Sequence, residues 1–323
     1  MKPSVSFVLP YYRVDGLLLK RCLESLLALP EMIDYEIIIV DDGTPGTSVP
    51  DWLAKWKMNS RVRYFYQENK GPGGARNAGL SLAEKEYVQF VDPDDYLLPE
   101  RYLTVWSLLQ EKNPDLLSFD FRIVYDKGRF SGSEGDTTVW FEGNGTAFML
   151  QHNLRASVWG YIFRRSIGRN VSFPEYAYHE DEAFTPLLYL RAQVVVATDI
   201  VLYAYYQRRG SIMNNTKLEE LHKRFTDMLR IQSLLTSFSV SFPVEQRRAM
   251  HRRIDQNYMS MLYKLLTDSP DWKFLQHYFK GMKKQGGFPL PLHFHTLKYF
   301  LFASITMCPG VIHLLYFLLR RRR

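Results

Sequence analysis

The chain has 323 residues, enough for one large domain or two ordinary ones with a sizeable core. It has two cysteines, Cys22 and Cys308, far apart in sequence, so we expect no disulfide framework and favour a reducing compartment. The net charge of +7 is uneven: residues 1–200 hold 21 Lys and Arg against 27 Asp and Glu, whereas residues 201–323 hold 20 against 7. The acidic front part disfavours nucleic-acid binding there, while the basic part could meet an anionic membrane or nucleic acid.

The first 125 residues alternate between strand and helix patterns. The predicted strands are Ser4–Leu9, Tyr35–Val40, Val62–Tyr66, Tyr87–Val91 and Leu116–Val124. The predicted helices are residues 17–27, Trp52–Met58, Ala75–Ala83 and Pro99–Lys112. This alternation predicts parallel strands joined by crossover helices, and therefore an α/β fold with a mostly parallel sheet flanked by helices.

The pattern changes in the second half of the chain. Residues 126–146 are polar and predict a hairpin or surface loop, followed by strands at Val158–Phe163 and Gln193–Tyr206. A helical pattern opens near Tyr178 and continues through Leu190, and beyond Lys217 the chain predicts one helix after another. We therefore expect a catalytic domain over 1–215, with parts 1–125 and 126–215, and a basic helical region over 216–323.

The C-terminal segment is apolar. Tyr299–Leu319 is interrupted only by Cys308-Pro309-Gly310 and His313, and it ends in Arg320–Arg323. Its length approaches the roughly 20 residues of a membrane-spanning helix, but the Pro-Gly pair opposes one straight span. We expect residues 296–323 to form two short helices at an anionic membrane surface. The location would be cytoplasmic, at the inner face of the cytoplasmic membrane; a soluble helical hairpin is the alternative.

Two acidic clusters follow predicted strands. Asp41 and Asp42 end the second strand, and Asp92-Pro93-Asp94-Asp95 ends the fourth. The carboxyl ends of parallel strands meet at one edge of a sheet, where ligands collect. Aspartates after a strand often cap a helix or form a turn. Packed carboxylates nevertheless favour a divalent metal with oxygen ligands, here Mg²⁺ or Mn²⁺.

A glycine-rich segment between the acidic clusters carries Lys70 and Arg76. The dinucleotide fingerprint fails because Arg76 stands where it needs a glycine, and the G-K-[ST] sequence of a P-loop is missing. A tight turn would explain the glycines alone. The two cations and the open backbone at a helix start favour a phosphate-bearing ligand.

Five segments in order strongly resemble the family 2 glycosyltransferases, which are inverting enzymes with a GT-A fold. They are Val8–Tyr12, Val40–Thr44, Gly74–Gly79, Phe90–Asp95 and His179-Glu180-Asp181. Gln207–Ile212 also looks like an acceptor-side motif of that family. The resemblance covers about residues 1–215 and implies a bacterial enzyme of polysaccharide biosynthesis.

The resemblance implies roles for individual residues. Asp181 would be the general base, Asp94 would bind the metal, and Asp95 is a neighbouring candidate. The remaining implied residues contact the nucleotide: Pro10, Tyr12, Asp41 and Asp42 at the base, Asp92 at the ribose, Lys70 and Arg76 flanking the nucleotide, and Arg208 at the pyrophosphate. A metal would stabilise the charge on the leaving diphosphate, and a carboxylate would take the proton of the acceptor hydroxyl.

The sequence leaves two alternative roles open for each of two residues near these motifs. His179 is structural or faces the acceptor, and Trp159 stacks on an acceptor sugar or fills the core. The Q-x-x-R-W signature of processive synthases is missing after Gln207, which favours transfer of a single sugar. We therefore expect a metal-dependent transferase that moves a sugar from a UDP-sugar to a lipid-linked or cell-surface polysaccharide acceptor. The alternatives are a nucleotidyltransferase and a nucleic-acid-binding protein.

Overall fold

The computed structural model describes residues 2–46, 56, 59–125, 130–131, 138–207 and 217–320, which form two compact units. The first unit comprises Met1–Phe148 and Arg155–Ser211, and the second comprises Met149–Leu154 and Ile212–Arg323. The sequence did not predict that the short segment Met149–Leu154 groups with the C-terminal helices. It does so because Arg252 and Arg253 donate to the carbonyl oxygens of Met149 and Leu154, each at 2.5 Å.

The described strands and helices are as follows. The strands are β1 (Ser4–Tyr11), β2 (Asp34–Asp42), β3 (Val62–Gln67), β4 (Tyr87–Phe90), β5 (Tyr96–Leu97), β6 (Leu116–Val124), β7 (Phe130–Ser131), β8 (Val139–Gly143), β9 (Tyr161–Arg164) and β10 (Val195–Tyr206). The helices of the first unit and its border are α1 (Gly16–Leu27), α2 (Gly71–Leu82), α3 (Pro99–Lys112), α4 (Gly145–Gln151), α5 (Arg165–Gly168) and α6 (Glu180–Arg191). Those of the second unit are α7 (Leu218–Ser239), α8 (Val244–Asp268), α9 (Trp272–Lys284), α10 (Leu297–Thr306) and α11 (Pro309–Arg320).

The described strands form one sheet in the order β3-β2-β1-β4-β9-β6-β10-β5, with β7 beside β6 and β8 beside β10. The N-terminal strands β3, β2, β1 and β4 are all parallel, as predicted. The other half is mixed, because β9 runs antiparallel to both β4 and β6 while β6 and β10 are parallel. The predicted α/β fold with a sheet flanked by helices is therefore confirmed, and the sheet is parallel through its N-terminal half and mixed in the other half.

Two predicted boundaries are corrected by the structure. β1 continues through Pro10 to Tyr11, two residues beyond its predicted end at Leu9. The reason is that β4 pairs with β1 only as far as Val8, so the missing N–H of Pro10 faces no partner strand on that side. The second helix, α2, begins at Gly71 rather than Ala75, with Pro72 in its first turn, where a missing N–H costs nothing.

The later elements of the first unit also differ in detail from the prediction. Val158–Gly160 forms a 3₁₀ turn, and the strand β9 begins only at Tyr161. The predicted helix Trp52–Met58 lies outside the described residues except for Trp56. The core lies where α1 and α3 cover the sheet; Phe7 packs edge-on against Tyr35 and Tyr102, with ring centroids 5.8 Å apart in both pairs.

The apolar C-terminal segment forms two helices, α10 and α11, bent by 111° at the break before Gly310. No single helix among the described residues is long and apolar enough to cross a membrane, although this bent pair has the length and composition to do so. Tyr299, Ile312 and Tyr316 are buried within the second unit, whereas Leu301, Leu314 and Phe317 are exposed.

Candidate active site

The predicted nucleotide residues of β1 and β2 lie side by side at the carboxyl edge of the sheet. The two strands are in register, with Pro10 opposite Val40 and Tyr11 opposite Asp41. Tyr12, one residue beyond β1, is exposed. The structure therefore brings Pro10, Tyr12 and the two aspartates of β2 to one edge of the sheet.

Asp41 and Asp42 are both buried, and each carboxylate is held by hydrogen bonds. Asp41 accepts from the Thr44 N–H at 2.9 Å and from the Tyr64 hydroxyl at 2.6 Å. Burial and the bond to Asp41 raise the pKa of Tyr64, so this phenol stays protonated and keeps donating. Asp41 is therefore fully engaged inside the protein and orients the turn that follows β2.

Asp42 joins the end of β2 to the start of α2. Its Oδ1 accepts from the Gln67 side chain at 2.6 Å and from the Lys70 backbone N–H at 2.8 Å, and its Oδ2 accepts from Asn69. The Lys70 ammonium is half-exposed and lies 3.7 Å from Glu175. Lys70 is thus fixed at its backbone while its charged end stays accessible to a ligand. Gln67 and Asn69, which the sequence analysis missed, complete this edge.

The D-x-D-D cluster follows β4, and its aspartates have different surroundings. Asp92 and Asp94 are partly accessible, and the Asp94 carbonyl accepts from Arg21 at 2.7 Å. Asp95 is buried, with Oδ2 accepting from the Tyr203 hydroxyl at 2.8 Å and Oδ1 from the Tyr206 N–H at 2.7 Å. Because both oxygens of Asp95 are engaged in the interior, we do not retain it as a metal ligand.

Asp95 instead orients the loop that carries the other two aspartates. The Tyr203 hydroxyl donates to Asp95 and accepts from the Asp92 N–H at 3.1 Å. Burial and then the charges of Asp92 and Asp94 raise the pKa of Asp95 well above its usual range. Tyr203 was also missed from the sequence, since nothing in the local pattern of β10 marks one tyrosine of that strand from the others.

Arg76 joins the acidic cluster to the third motif. Its guanidinium is buried, lies 2.9 Å from Asp92, and also pairs with Glu180. Burial by itself lowers the pKa of Arg76, but Asp92 and Glu180 more than offset this, so the pKa is raised and the group stays charged. Arg76 therefore acts as an internal bridge, although the sequence predicted that it flanks the nucleotide.

The segment before α6 is fastened to α2, which explains why Glu180 reaches Arg76. The Asn77 amide donates to the Phe173 carbonyl at 2.9 Å and accepts from the Phe173 N–H at 2.8 Å, and the Tyr176 N–H donates to the Lys70 carbonyl. Gly73 faces this segment so closely that an added Cβ would lie 2.5 Å from the Pro174 oxygen. The small residues of the glycine-rich segment thus serve packing as well as backbone exposure.

Asp181 begins α6 next to this bridge. Its Oδ1 accepts only a local bond, from the Glu182 N–H at 2.9 Å, among the hydrogen bonds described for it. Burial, and then the charges of Glu180 and Glu182, raise the pKa of Asp181 to about 8, with Arg76 partly opposing the shift. A carboxyl with such a pKa is a far stronger base than an ordinary aspartate, which suits it to accept a proton from a hydroxyl.

A divalent cation fits the acidic cluster by donor type and by charge. Asp92 and Asp94 offer oxygen ligands, and their charges contribute to the raised pKa of Asp95 and of the neighbouring Cys22 thiol, after burial. Among the described residues, however, these carboxylates do not converge as a three-ligand centre. The protein would therefore hold Mg²⁺ or Mn²⁺ mainly through Asp94, with the ligand's phosphates supplying further oxygens.

Three further positions singled out in the sequence are Arg208, Trp159 and His179. Arg208 lies outside the described residues. Trp159 is buried and stacks on Tyr203 with ring centroids 4.6 Å apart. It is therefore a core residue, and its ring face is not available to stack on an acceptor sugar. His179 adopts a left-handed backbone conformation, with φ of 61°, and occupies the N-cap position of α6 without a side-chain capping hydrogen bond.

The sequence profile of the family described as Glycosyl transferase family 2 matches residues 6–176, which contain the edge residues of β1, β2, α2 and β4. The chain belongs to glycosyl transferase family 2. It is therefore a glycosyltransferase, and the alternative of a nucleotidyltransferase is not retained.

Curated relatives of this family 2 glycosyltransferase come from bacteria. Glycosyltransferase GlyG of Streptococcus pneumoniae is 29% identical over 232 residues, covering 66% of this chain and 74% of that protein. The poly(ribitol-phosphate) beta-glucosyltransferase of Bacillus spizizenii is 29% identical over 222 residues, covering 65% of this chain but only 33% of that protein. Glycosyltransferase GlyA of Streptococcus pneumoniae is 25% identical, and the match spans 37% of its length.

Solved structures agree with the GT-A-type fold. Residues 1–349 of TarS from S. aureus, in complex with UDP-GlcNAc, give a TM-score of 0.56 at 21% identity, covering 88% of this chain and 93% of that one. The same protein in complex with UDP gives a TM-score of 0.55 at 21% identity. At this identity the similarity establishes the fold and no more.

Proposed function

We propose that this family 2 glycosyltransferase is a metal-dependent inverting enzyme that transfers one sugar from a UDP-sugar to a hydroxyl of a cell-surface polymer or its lipid-linked precursor. The observation that carries the proposal is the Arg76 bridge. It holds Asp92 of the acidic cluster and Glu180, next to Asp181, on one guanidinium. Leaving-group stabilisation and proton removal would thereby be fixed relative to each other.

The donor would bind at the carboxyl edge of the sheet. Pro10 and Tyr12 would line one wall of the base pocket, with Asp42 at its floor and the half-exposed Lys70 beside the phosphates. A uridine nucleotide is supported by the fold shared with TarS, whose structures contain UDP-GlcNAc and UDP.

The chain's own residues would divide the chemistry between them. Asp94 would hold Mg²⁺ or Mn²⁺ on the diphosphate, where the ion neutralises negative charge as a Lewis acid. Asp181 would take the proton from the acceptor hydroxyl during in-line attack from the opposite face of the sugar, which inverts the anomeric carbon. Arg76 would act as a positioning residue, because it touches Asp92 and Glu180 rather than the reacting atoms.

The acceptor is proposed from the relatives and the basic C-terminal part. One relative is named for transfer of glucose to poly(ribitol phosphate), which supports a cell-surface polymer as acceptor. Exposed leucines on α10 and α11, together with the arginines that end the sequence, support contact with the inner face of an anionic membrane, where lipid-linked precursors are elongated.

The proposal is tested by donor hydrolysis with EDTA-treated protein and a panel of nucleotide sugars. UDP-sugars should release UDP only after Mg²⁺ or Mn²⁺ is restored, and Asp94→Ala should lower the rate by about 100-fold or more because leaving-group stabilisation is lost. Asp34→Ala is the matched control, since Asp34 is an exposed aspartate at the other end of β2. Normal turnover of Asp94→Ala in EDTA would show that the metal assignment is wrong.

A further inference from the structure

The second unit contains a buried carboxylate whose hydrogen-bond partners are two histidines. Asp255 lies in the middle of α8, and its Oδ2 is 2.7 Å from Nδ1 of His293 and 2.7 Å from Nε2 of His295. The Asp255 side chain is only 7% exposed. A buried carboxylate is costly unless a positive charge balances it.

Among the residues that the structure describes, no Lys or Arg is in ion-pair contact with Asp255, and its partners are His293 and His295. Each histidine contact is an ion pair only if the imidazole is protonated.

We propose that Asp255, His293 and His295 bind one divalent transition-metal ion of the Zn²⁺ type. The three ligand atoms lie within 4.8 Å of one another. Two imidazole nitrogens and one carboxylate oxygen form a donor set that suits Zn²⁺, whereas Mg²⁺ and Ca²⁺ prefer oxygen ligands alone. The site is independent of the proposed glycosyl transfer, because its residues belong to the second unit and to none of the family motifs.

The cluster must rearrange to admit the ion. Tetrahedral Zn²⁺ with bonds of about 2.0–2.1 Å separates its ligand atoms by about 3.3 Å, so each His–Asp contact must open by about 0.6 Å. The two imidazole nitrogens, which lie within 4.8 Å of each other, must approach to about the same 3.3 Å separation, and rotation of the exposed His293 side chain can supply this movement. The facing nitrogen of each ring must lose its proton, either to the other ring nitrogen or to solvent. His293 is 58% exposed, which gives the ion a route in and leaves further coordination positions to water.

The position of the histidines gives the site a structural consequence. His293 and His295 lie directly before Thr296, which caps α10. The same segment is already folded onto α10, since Tyr299 donates to the Pro291 carbonyl at 2.9 Å and the Leu290 N–H donates to Thr306 at 2.9 Å. A metal bound to Asp255 would therefore fasten the start of the apolar helices to α8.

The test uses the full-length protein, stripped with EDTA and titrated with CoCl₂ or ZnCl₂ in excess MgCl₂, which keeps oxygen-only sites occupied. We expect one Co²⁺ per chain, with visible absorption bands of a four- or five-coordinate site that disappear when Zn²⁺ displaces it. Zn²⁺ should also raise the Tm by a few degrees. An Asp94→Ala background should leave this binding unchanged.

Variants distinguish this site from adventitious histidine binding. His293→Ala, at an exposed position that should not disturb the fold, and His295→Ala should each weaken Co²⁺ and Zn²⁺ binding by at least about tenfold. His277→Ala, at an exposed histidine on α9, should bind as the unmodified protein does. Failure of the unmodified protein to bind Co²⁺ would overturn the proposal and leave a hydrogen-bonded His–Asp–His cluster. The proposal would also be overturned if His277→Ala or Asp94→Ala lost Co²⁺ binding while His293→Ala kept it.

Discussion

At the scale of single residues, one buried guanidinium connects two motifs that are far apart in the chain. Arg76 pairs with Asp92 and Glu180; the side chains of Arg76 and Glu180 are 8% and 12% exposed, and that of Asp92 is 25% exposed. Removing one partner of such a group leaves uncompensated buried charge, which costs more than the intact group contributes. Arg76 therefore matters for the stability of the first unit as well as for the geometry of the site.

Arg76→Ala is expected to lower the free energy of unfolding by about 3–5 kcal/mol at neutral pH, because Asp92 and Glu180 lose their cation. Urea denaturation at neutral pH measures this. Arg248→Ala is the control, since its pair with Glu245 is exposed and worth about 0–1 kcal/mol. Equal effects of both substitutions would contradict a buried bridge.

Asp181→Asn is expected to keep UDP binding but to lower turnover by about 100-fold or more, because an amide cannot accept the proton of the acceptor hydroxyl. Calorimetric titration with UDP and steady-state kinetics separate binding from catalysis, with Asp34→Asn as the control. An equal loss of UDP affinity and turnover would move Asp181 out of the role of base.

The pH dependence of Asp181 follows from the direction of its pKa shift. Because the folded-state pKa of Asp181 is about 8, its neutral carboxyl contributes to the free energy of unfolding at low pH. That contribution is lost as the pH rises towards 8. Activity should therefore rise with pH to a plateau above about 8, while Asp181→Asn, which cannot ionise, becomes more stable than the unmodified protein over the same range. A flat pH–rate profile between pH 6 and about 9 would contradict this assignment.

At the scale of elements, α2 depends on small residues for its place on the sheet. Gly79 faces β1 so closely that an added Cβ would lie 2.2 Å from Cγ1 of Val8. Gly73 is similarly close to the segment that leads to Asp181. The sequence explained the glycines alone by a tight turn and based phosphate binding on the two cations and the open backbone. The structure adds that Gly73 and Gly79 allow α2 to pack against its neighbours on both sides.

Gly79→Ala is therefore expected to destabilise the protein by about 1–3 kcal/mol through overpacking. Gly310→Ala is the matched control in α11, because an added Cβ there would have no neighbour within 4 Å and alanine is the better helix former. Chemical denaturation compares the two. A neutral Gly79→Ala would mean that β1 and α2 move apart at little cost.

At the scale of the whole molecule, the net positive charge and most of the exposed large apolar side chains lie in the C-terminal part of the chain. Leu301 and Leu314 are 55% and 57% exposed on α10 and α11. Tyr299 and Tyr316 of the same helices are buried against the rest of the unit, so deleting residues 296–323 would uncover a core as well as remove the apolar surface. Substitutions on the exposed face are therefore the sharper test of membrane contact.

Leu301→Glu with Leu314→Glu is expected to abolish flotation with anionic vesicles while sparing UDP-sugar hydrolysis, because interfacial burial of the two leucines is lost. Val240→Glu, at an exposed valine beyond α7, is the control. Flotation of the double variant would place the contact in other basic helices. If the unmodified protein fails to float at low salt, the two helices form an ordinary packed hairpin.

The sequence by itself determined what depends on local signals. Pro99–Lys112 and Leu116–Val124 were predicted with the observed bounds, because a proline in the first turn and Asn113 at the left-handed C-cap fix the helix, and a β-branched, aromatic run fixes the strand. The order of the motifs was also sufficient to predict the family. The positions of the motifs after predicted strands were sufficient to predict that they meet at the carboxyl edge of the sheet.

Only the tertiary structure decided which of the acidic and basic residues contact each other. Asp95 and Asp94 are neighbours in a D-x-D-D sequence, but the hydroxyl of Tyr203, 108 residues away, takes Asp95 into the interior. Likewise Arg76 meets Glu180 across 104 residues, and Asp255 meets two histidines about 40 residues further along the chain. Such pairs leave no periodic or spacing signal in the sequence, because long-range packing brings their residues together. Once a charged side chain is buried, it requires a polar or oppositely charged partner, and only the fold determines which residue that is.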